Sequence, residues 1–422
     1  MHILFFTDNF PPEVNAAATR VFERACHWTK WGHKVTVMTC APNFPKGELY
    51  PPYKNRWYQV EEMNGIRVVR VKTYITANEG VVRRVLDFLS FMVMSFVFGL
   101  FQPRPDVVVS TSPQLFCAAG AWALSKARRL PYVFELSDLW PRQIVELEVL
   151  KPSLALRWIE RIELFLYRQA KQVIALAPSF REDLINRGIP GEKIDVVING
   201  VDLDRYSPAA RDETLAAAHG VGGKFVVGYI GTHGPSQGLE NLIDAAELVK
   251  ECDQIVFLMV GAGAARKLLI EEAQKHGLSN IVFVESQPKS AMPSWWSICD
   301  VALIHLRNVP LFGTVIPSKM FEAMGMGLPL LVASPKGEAS AIVEREGVGL
   351  WVPAGKPDEL AITVRRLSQE PRLVQEFARR SLAAAPNYTR ERQAQRFIMV
   401  LERVVHGESP VLAESQIRST NQ

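Results

Sequence analysis

Short β-branched runs alternate with amphipathic stretches along most of this 422-residue chain, and the rhythm restarts just after residue 200. No other feature narrows the choice of fold so far. In the first half, HILFFT (2–7), KVTVMT (34–39), IRVVRV (66–71), DVVVS (106–110), YVFEL (132–136), QVIAL (172–176) and IDVVI (194–198) read as strands covered on both faces. Helical periodicity near 16–31, 81–100, 115–128, 153–170 and 179–187 separates most of them, the pattern of parallel strands with crossover helices. After the polar joint NGVDLDRYSPAARDET a second series follows at 225–230, 255–260, 280–284, 300–304, 329–333 and 348–352. The expectation is an α/β chain of two tandem doubly wound parallel-sheet domains, 1–200 and 201–388. A helix at 389–407 would return to the first domain, ahead of a tail at 408–422. Such sheets take ligands at the carboxyl ends of their strands, so two of them facing a cleft would offer a site on each wall.

The segment FGTVIPSKMFEAMGMGLP (312–329) holds the strongest candidate chemistry. Pro317 suits the first position of a helix, and Gly325 and Gly327 read as its stop. Lys319 and Glu322 then share one face, while Met320, Phe321 and Met324 supply the apolar side. A lysine in the first turn opposes the helix dipole, an arrangement that becomes favourable when a multiply charged anion occupies the site.

Composition sets the boundaries. A chain with 48% hydrophobic and 22% charged residues is globular. The first 200 residues carry 25 Lys and Arg against 19 Asp and Glu, and the remainder 23 against 25. That asymmetry fits an anionic surface or acceptor and is too weak for nucleic acid, for which no accompanying motif exists. Five scattered cysteines without a CxxC read as core residues of a reducing cytosol, and the opening MHILFFTDNFPPE as a strand and turn, not a signal peptide. No metal site is expected: no His/Cys cluster is present, and Asp202-Leu203-Asp204 falls in the interdomain joint. VGAGAAR (260–266) departs from the dinucleotide fingerprint at Arg266, so Gly261 and Gly263 are read as a tight strand-to-helix turn that faces the cleft. Residues 86–101, LDFLSFMVMSFVFGLF, are short for a membrane span. With Arg83 and Arg84 ahead of them they read either as a helix buried on a sheet or as a membrane-contacting helix at 83–101.

The FTDNFPPE opening, DLWP (138–141), NGVD (199–202), YIGTHG (229–234), VGAG (260–263) and PSKMFEAMGMGLP (317–329) together resemble the retaining glycosyltransferases of family 4. The resemblance spans about residues 1–405 and implies the GT-B fold of two Rossmann-like domains. Within that family the chain is similar to bacterial surface-polysaccharide enzymes, among them N-acetyl-L-fucosamine transferases.

By position, the resemblance gives Glu322 to the donor ribose hydroxyls, which a carboxylate can accept. Thr314 stands where the family often has a sugar-contacting glutamate, and Thr232 and Gln237 stand near its diphosphate-binding Arg and Lys. Leaving-group charge then falls to Lys319, to backbone N–H groups around Gly231–Gly234 and 314–318 (Thr314, Val315 and Ser318 among them), and to Arg307 or His233. Ser286 and Gln287 match the loop that reads the base edge, and the turn at Gly261 and Gly263 faces the nucleotide-sugar donor in the cleft. Asn15 lies in the loop approaching the diphosphate, and Glu135 and Asp138 are acceptor-hydroxyl candidates, with a cap or ion pair as the alternative. The implied reaction moves an N-acetylated deoxyamino hexose from a UDP-sugar to a polyprenyl-diphosphate-linked saccharide of O-antigen, capsule or exopolysaccharide. It would run at the inner leaflet of the plasma membrane, with retention and without metal or other cofactor. A sugar-nucleotide epimerase and a non-catalytic nucleotide-binding partner remain the alternatives.

Overall fold

The computed structural model describes residues 1–44, 46–76, 81–112, 114–139 and 154–407. It divides into two compact units: one built from Met1–Ile198 and the final helix, the other from Asn199–Thr389. The expected tail, 408–422, and residues 140 and 141 of the DLWP motif lie outside the described residues.

In unit 1 the strands are β1 (His2–Phe6), β2 (Lys34–Cys40), β3 (Tyr58–Met63), β4 (Ile66–Val71), β5 (Val107–Thr111), β6 (Tyr132–Leu136), β7 (Gln172–Ala175) and β8 (Ile194–Val196). They form one sheet in the order β3-β4-β2-β1-β5-β6-β7-β8. All neighbours are parallel except β3 and β4, so the expectation of a wholly parallel sheet is corrected at this edge. The cause is Asn64-Gly65, both at positive φ, a two-residue turn that joins β3 and β4 as a hairpin. The helices are α1 (Ala16–Lys30), α2 (Val81–Leu100), α3 (Leu115–Arg128), α4 (Leu154–Gln169) and α5 (Pro178–Asn186).

Right-handed crossovers place α2, α3 and α4 on one face of this sheet, with α3 touching both of the others. α2 and α3 approach closely because Gly99 and Gly120 sit at their contact. A Cβ at Gly99 would lie 2.8 Å from Leu124, and one at Gly120 would lie 3.0 Å from the Met92 carbonyl. α2 therefore has a buried side, with Phe91, Ser95 and Gly99, and an exposed side, with Val82, Leu86, Val93 and Val97. Among the described residues, no helix is long and apolar enough to cross a membrane.

Unit 2 has β9 (Phe225–Ile230), β10 (Ile255–Val260), β11 (Ile281–Val284), β12 (Val301–His305), β13 (Leu330–Ser334) and β14 (Gly349–Pro353), all parallel in the order β11-β10-β9-β12-β13-β14. Its helices are α6 (Glu213–Ala218), α7 (Glu240–Leu248), α8 (Arg266–Lys275), α9 (Met292–Ser297), α10 (Lys319–Gly325), α11 (Glu338–Glu346), α12 (Pro357–Gln369) and α13 (Pro371–Ala384). The strand order reverses between β9 and β12, which makes their carboxyl ends the topological switch point.

The last helix, α14 (Arg390–His406), packs on α1 in unit 1. The Trp28 indole N–H donates to the Ala394 carbonyl at 3.0 Å, and its ring meets Phe397 at 5.3 Å between centroids. All five cysteines are unbridged, and Cys40, Cys117 and Cys299 are buried.

Candidate functional site

At the switch point of unit 2 the loops after β9 and β10 lock together through their backbones. Gly231 N–H donates to the Val260 carbonyl, and His233 N–H to the Ala262 carbonyl, each at 2.9 Å. The approach is so close that only glycine fits on the β10 side. A Cβ at Gly261 would lie 1.9 Å from the Gly231 carbonyl oxygen, and one at Gly263 would lie 2.3 Å from that of His233. Both glycines also have positive φ. The N–H of Gly234 goes to the Gln237 side-chain oxygen at 3.1 Å. This corrects one expectation: the N–H groups of Gly231, His233 and Gly234 are engaged within the protein and do not form an open cradle for an anion.

The α10 helix supplies the charge. It begins at Lys319, two residues later than expected, because Pro317 and Ser318 form a tight turn whose carbonyls accept from Met320 and Phe321 at 3.1 Å each. Met320, Phe321, Ala323 and Met324 are buried, which leaves Lys319 and Glu322 on the side that is partly open. The Lys319 ammonium stands 3.6 Å from the centroid of the Tyr229 ring. It reaches the β9 loop itself, since a Cβ on Gly231 would lie 3.2 Å from its Nζ. The Tyr229 hydroxyl donates to the Thr232 carbonyl at 2.7 Å and so holds the ring in place. Burial pushes the Lys319 ammonium down to about 7, with Glu322 opposing that shift.

Burial raises the Glu322 carboxyl, while Lys289, Lys319, a hydrogen bond with Tyr206, and Arg205 act to lower it. Sequence reasoning missed Lys289, Tyr206 and Arg205. Lys289 lies two residues beyond Gln287, and Arg205-Tyr206 lies in the joint NGVDLDRYSP, so the only available signal was a basic residue beside a motif already noted.

Two histidines sit behind this site. His233 is fully buried, and among the described residues both its ring nitrogens are without a hydrogen-bond partner. Burial, Arg266 and Lys319 push it down to about 4. Its ring is thus shielded from any bound molecule, which corrects the expectation of direct contact. His305 donates from Nδ1 to the Gln237 carbonyl at 2.6 Å and accepts at Nε2 from Asn241 at 3.0 Å, an arrangement that requires the neutral ring.

The other candidates are less concentrated. Thr232 is exposed at the tip of the β9 loop, Gln237 caps its own turn, and Arg307 is exposed. The Thr314 hydroxyl donates to the Leu311 carbonyl at 2.7 Å, Val315 N–H donates to Phe312 at 3.3 Å, and Ser318 is partly exposed. Ser286 is exposed after β11, where the Gln287 amide donates to the Glu285 carbonyl at 3.2 Å. Asn15 and Asp138 belong to unit 1. Asn15 is the N-cap of α1, with Oδ1 accepting from Ala18 at 2.9 Å, and Asp138 is partly exposed just after β6.

Glu135 is fully buried and paired with Arg24 at 2.5 Å and Arg20 at 3.3 Å, so it is an ion-pair residue and not an acceptor contact. Asp202 accepts from the Asp204 N–H and lies 3.9 Å from Arg205. Among the described residues, no group of three or more His, Cys, Asp or Glu side chains is arranged to hold a metal ion.

What the site offers is one desolvated ammonium against the Tyr229 ring and the β9 loop at Gly231, with a carboxylate one helical turn away. The first suits a phosphate group and the second suits vicinal hydroxyls.

Comparison with known proteins points the same way. The profile described as "Glycosyl transferase 4-like domain" matches residues 15–200, and that described as "Glycosyl transferases group 1" matches residues 211–383. The chain is 25% identical over 395 residues to the putative colanic acid biosynthesis glycosyl transferase WcaI of Escherichia coli, covering 90% of this chain and 96% of that protein. Among solved structures it is similar in fold to a sucrose-phosphate synthase from Thermosynechococcus elongatus, with a TM-score of 0.77, 17% identity, and coverage of 96% and 100%. It is also similar to Anabaena HepE in complex with UDP-glucose, with a TM-score of 0.71, 19% identity, and coverage of 95% and 99%.

Proposed function

This chain is a glycosyltransferase of the GT-B fold, a 4-like domain followed by a group 1 domain, and we propose that unit 2 binds a nucleoside-diphosphate sugar through Lys319 and Glu322. The observation that carries this is the Lys319 ammonium, desolvated against Tyr229 and set at the β9 loop of the switch point. Such a group is fixed where the charge of a departing diphosphate develops, and fixed charge in a dry site stabilises a transition state more than mobile charge in water. Glu322 takes the ribose hydroxyls.

We read the donor as a UDP-sugar, with an N-acetylated deoxyamino hexose, and the acceptor as a polyprenyl-diphosphate-linked saccharide in polysaccharide synthesis. The similarity to WcaI supports the polysaccharide part of this reading, and the complex of HepE with UDP-glucose supports its nucleotide-sugar donor; the hexose and the lipid-linked acceptor come from the sequence resemblance. In the reaction, the acceptor hydroxyl oxygen bonds to the sugar C1 on the face from which the C1–phosphate bond breaks. The hydroxyl proton passes to the departing phosphate oxygen, and configuration is retained without a protein nucleophile. The exposed apolar side of α2 fits an enzyme that meets its acceptor at the inner leaflet.

The test is mass spectrometry of purified enzyme with UDP-N-acetylated sugars and a lipid-linked saccharide. A product heavier than the acceptor by one sugar supports the reading. Turnover only with another class of nucleotide sugar corrects the donor, and no transfer from any nucleotide sugar removes the reading.

A further inference from the structure

α4 carries an apolar stripe of its own. Leu154, Trp158, Ile162 and Phe165 recur every three or four residues and are 74, 62, 45 and 42% exposed. Arg157 and Arg161 stand between them on the same exposed side, and the Arg161 guanidinium lies 5.1 Å from the Trp158 ring centroid. The acidic residues of the helix are committed elsewhere: Glu160 and Glu163 both pair with Arg187, at 3.2 and 2.6 Å. A helix face that meets only water carries polar groups and charges of both signs, whereas this one is apolar and cationic.

The stripe does not stand alone. α4 shares its layer with α2, both against α3, and α2 likewise turns Val82, Leu86, Val93 and Val97 outward. At the C-terminal ends of α3 and α4 lies a basin of about 710 Å³ lined by Lys126, Arg168, Lys171, Lys193 and Arg403, with Glu192. Arg403 is paired with Asp195. The Lys193 ammonium donates to the Arg168 carbonyl at 2.7 Å, and it is lowered by burial and by the nearby charges of Lys171 and Lys126. The basin opens at the amino ends of β6 and β7, away from the carboxyl ends where the sheet would take a substrate.

We propose that unit 1 docks on an anionic bilayer through α2 and α4 together, and that the basin holds phosphates of the lipid headgroups. The proposal rests on the lipid-surface reading above and adds to it a second helix and a headgroup site. Charge complementarity selects the occupant: apolar stripes flanked by arginines lie at the acyl boundary with their cations at headgroup level. The crowded lysines of the basin favour a phosphate over a zwitterionic surface.

The test is flotation of the whole chain with vesicles of phosphatidylcholine alone and of phosphatidylcholine mixed with phosphatidylglycerol. Trp158→Glu/Ile162→Glu probes α4, Lys126→Glu/Lys171→Glu the basin, and Val93→Glu/Val97→Glu α2. All of these positions are exposed, and an unchanged melting temperature verifies folding. The expected result is binding to the mixed vesicles, weakened about tenfold or more by each of the three pairs. If only the α2 pair weakens binding, or if both vesicles bind equally, this proposal is overturned while the lipid-surface reading stands. If the wild-type chain binds neither vesicle, both fall.

Discussion

The ammonium of Lys319 and the ring of Tyr229 are 3.6 Å apart, one from the start of α10 and the other from β9. The contact substitutes an aromatic face for water around a buried charge, and it fixes where that charge stands before any ligand arrives. The Tyr229 hydroxyl is used only to anchor the ring on Thr232. Tyr229→Phe should therefore keep transfer within a few-fold of wild type, whereas Tyr229→Leu should weaken it by about 1–2 kcal/mol, a factor of about ten. Steady-state kinetics of the two variants distinguish a role for the ring from a role for the hydroxyl.

Donor affinity should depend on pH through Lys319. Its folded value is about 7 against 10.5 for a free lysine, so between those values the unfolded chain binds the extra proton and the empty protein does not. The stability of the empty protein should accordingly rise with pH across that window relative to Lys319→Met. Binding a nucleotide sugar favours the charged lysine, so affinity should fall as pH rises above about 7. His233, near 4, does not titrate in this window. Calorimetry in buffers of different ionisation enthalpy should show proton uptake at pH 8 by wild type and none by Lys319→Arg.

Glu135 holds Arg24 and Arg20 in the core of unit 1, and the Arg24 guanidinium also lies 4.0 Å from the Phe397 ring centroid on α14. Glu135→Gln leaves two arginines without their counter-charge and should cost about 3–5 kcal/mol of stability. Urea unfolding measures this directly. A variant of unchanged stability with a large loss of kcat would mean that Glu135 contacts the acceptor after all.

Gly261→Ala should separate the β9 and β10 loops, because its Cβ would fall 1.9 Å from the Gly231 carbonyl oxygen. Donor affinity should drop at least about tenfold, through displacement of the loop beside Lys319 and not through loss of a contact. A crystal structure of the variant should show the β9 loop moved.

Much of the fold was legible because both sheets are buried on two faces, which leaves uninterrupted apolar runs. FVVGYI and IVFLMV are β9 and β10 to the residue. β3 escaped because YQVEEM is an edge strand with half its residues polar, and only the Asn64-Gly65 turn marked it. The site was legible where the chemistry is local: Lys319 and Glu322 are three residues apart on one helix. Lys289, Tyr206 and Arg205 were not, since their approach to Glu322 is set by chain segments distant in sequence. Glu135 was ambiguous for the same reason, its partners being more than a hundred residues away.

Titration of an intact UDP-sugar into wild-type protein and Lys319→Ala measures what Lys319 holds. Wild type should bind saturably, and the variant, while remaining folded, should lose at least about 2 kcal/mol, some thirtyfold in affinity. Equal affinity in the two proteins would mean that Lys319 does not hold the donor diphosphate.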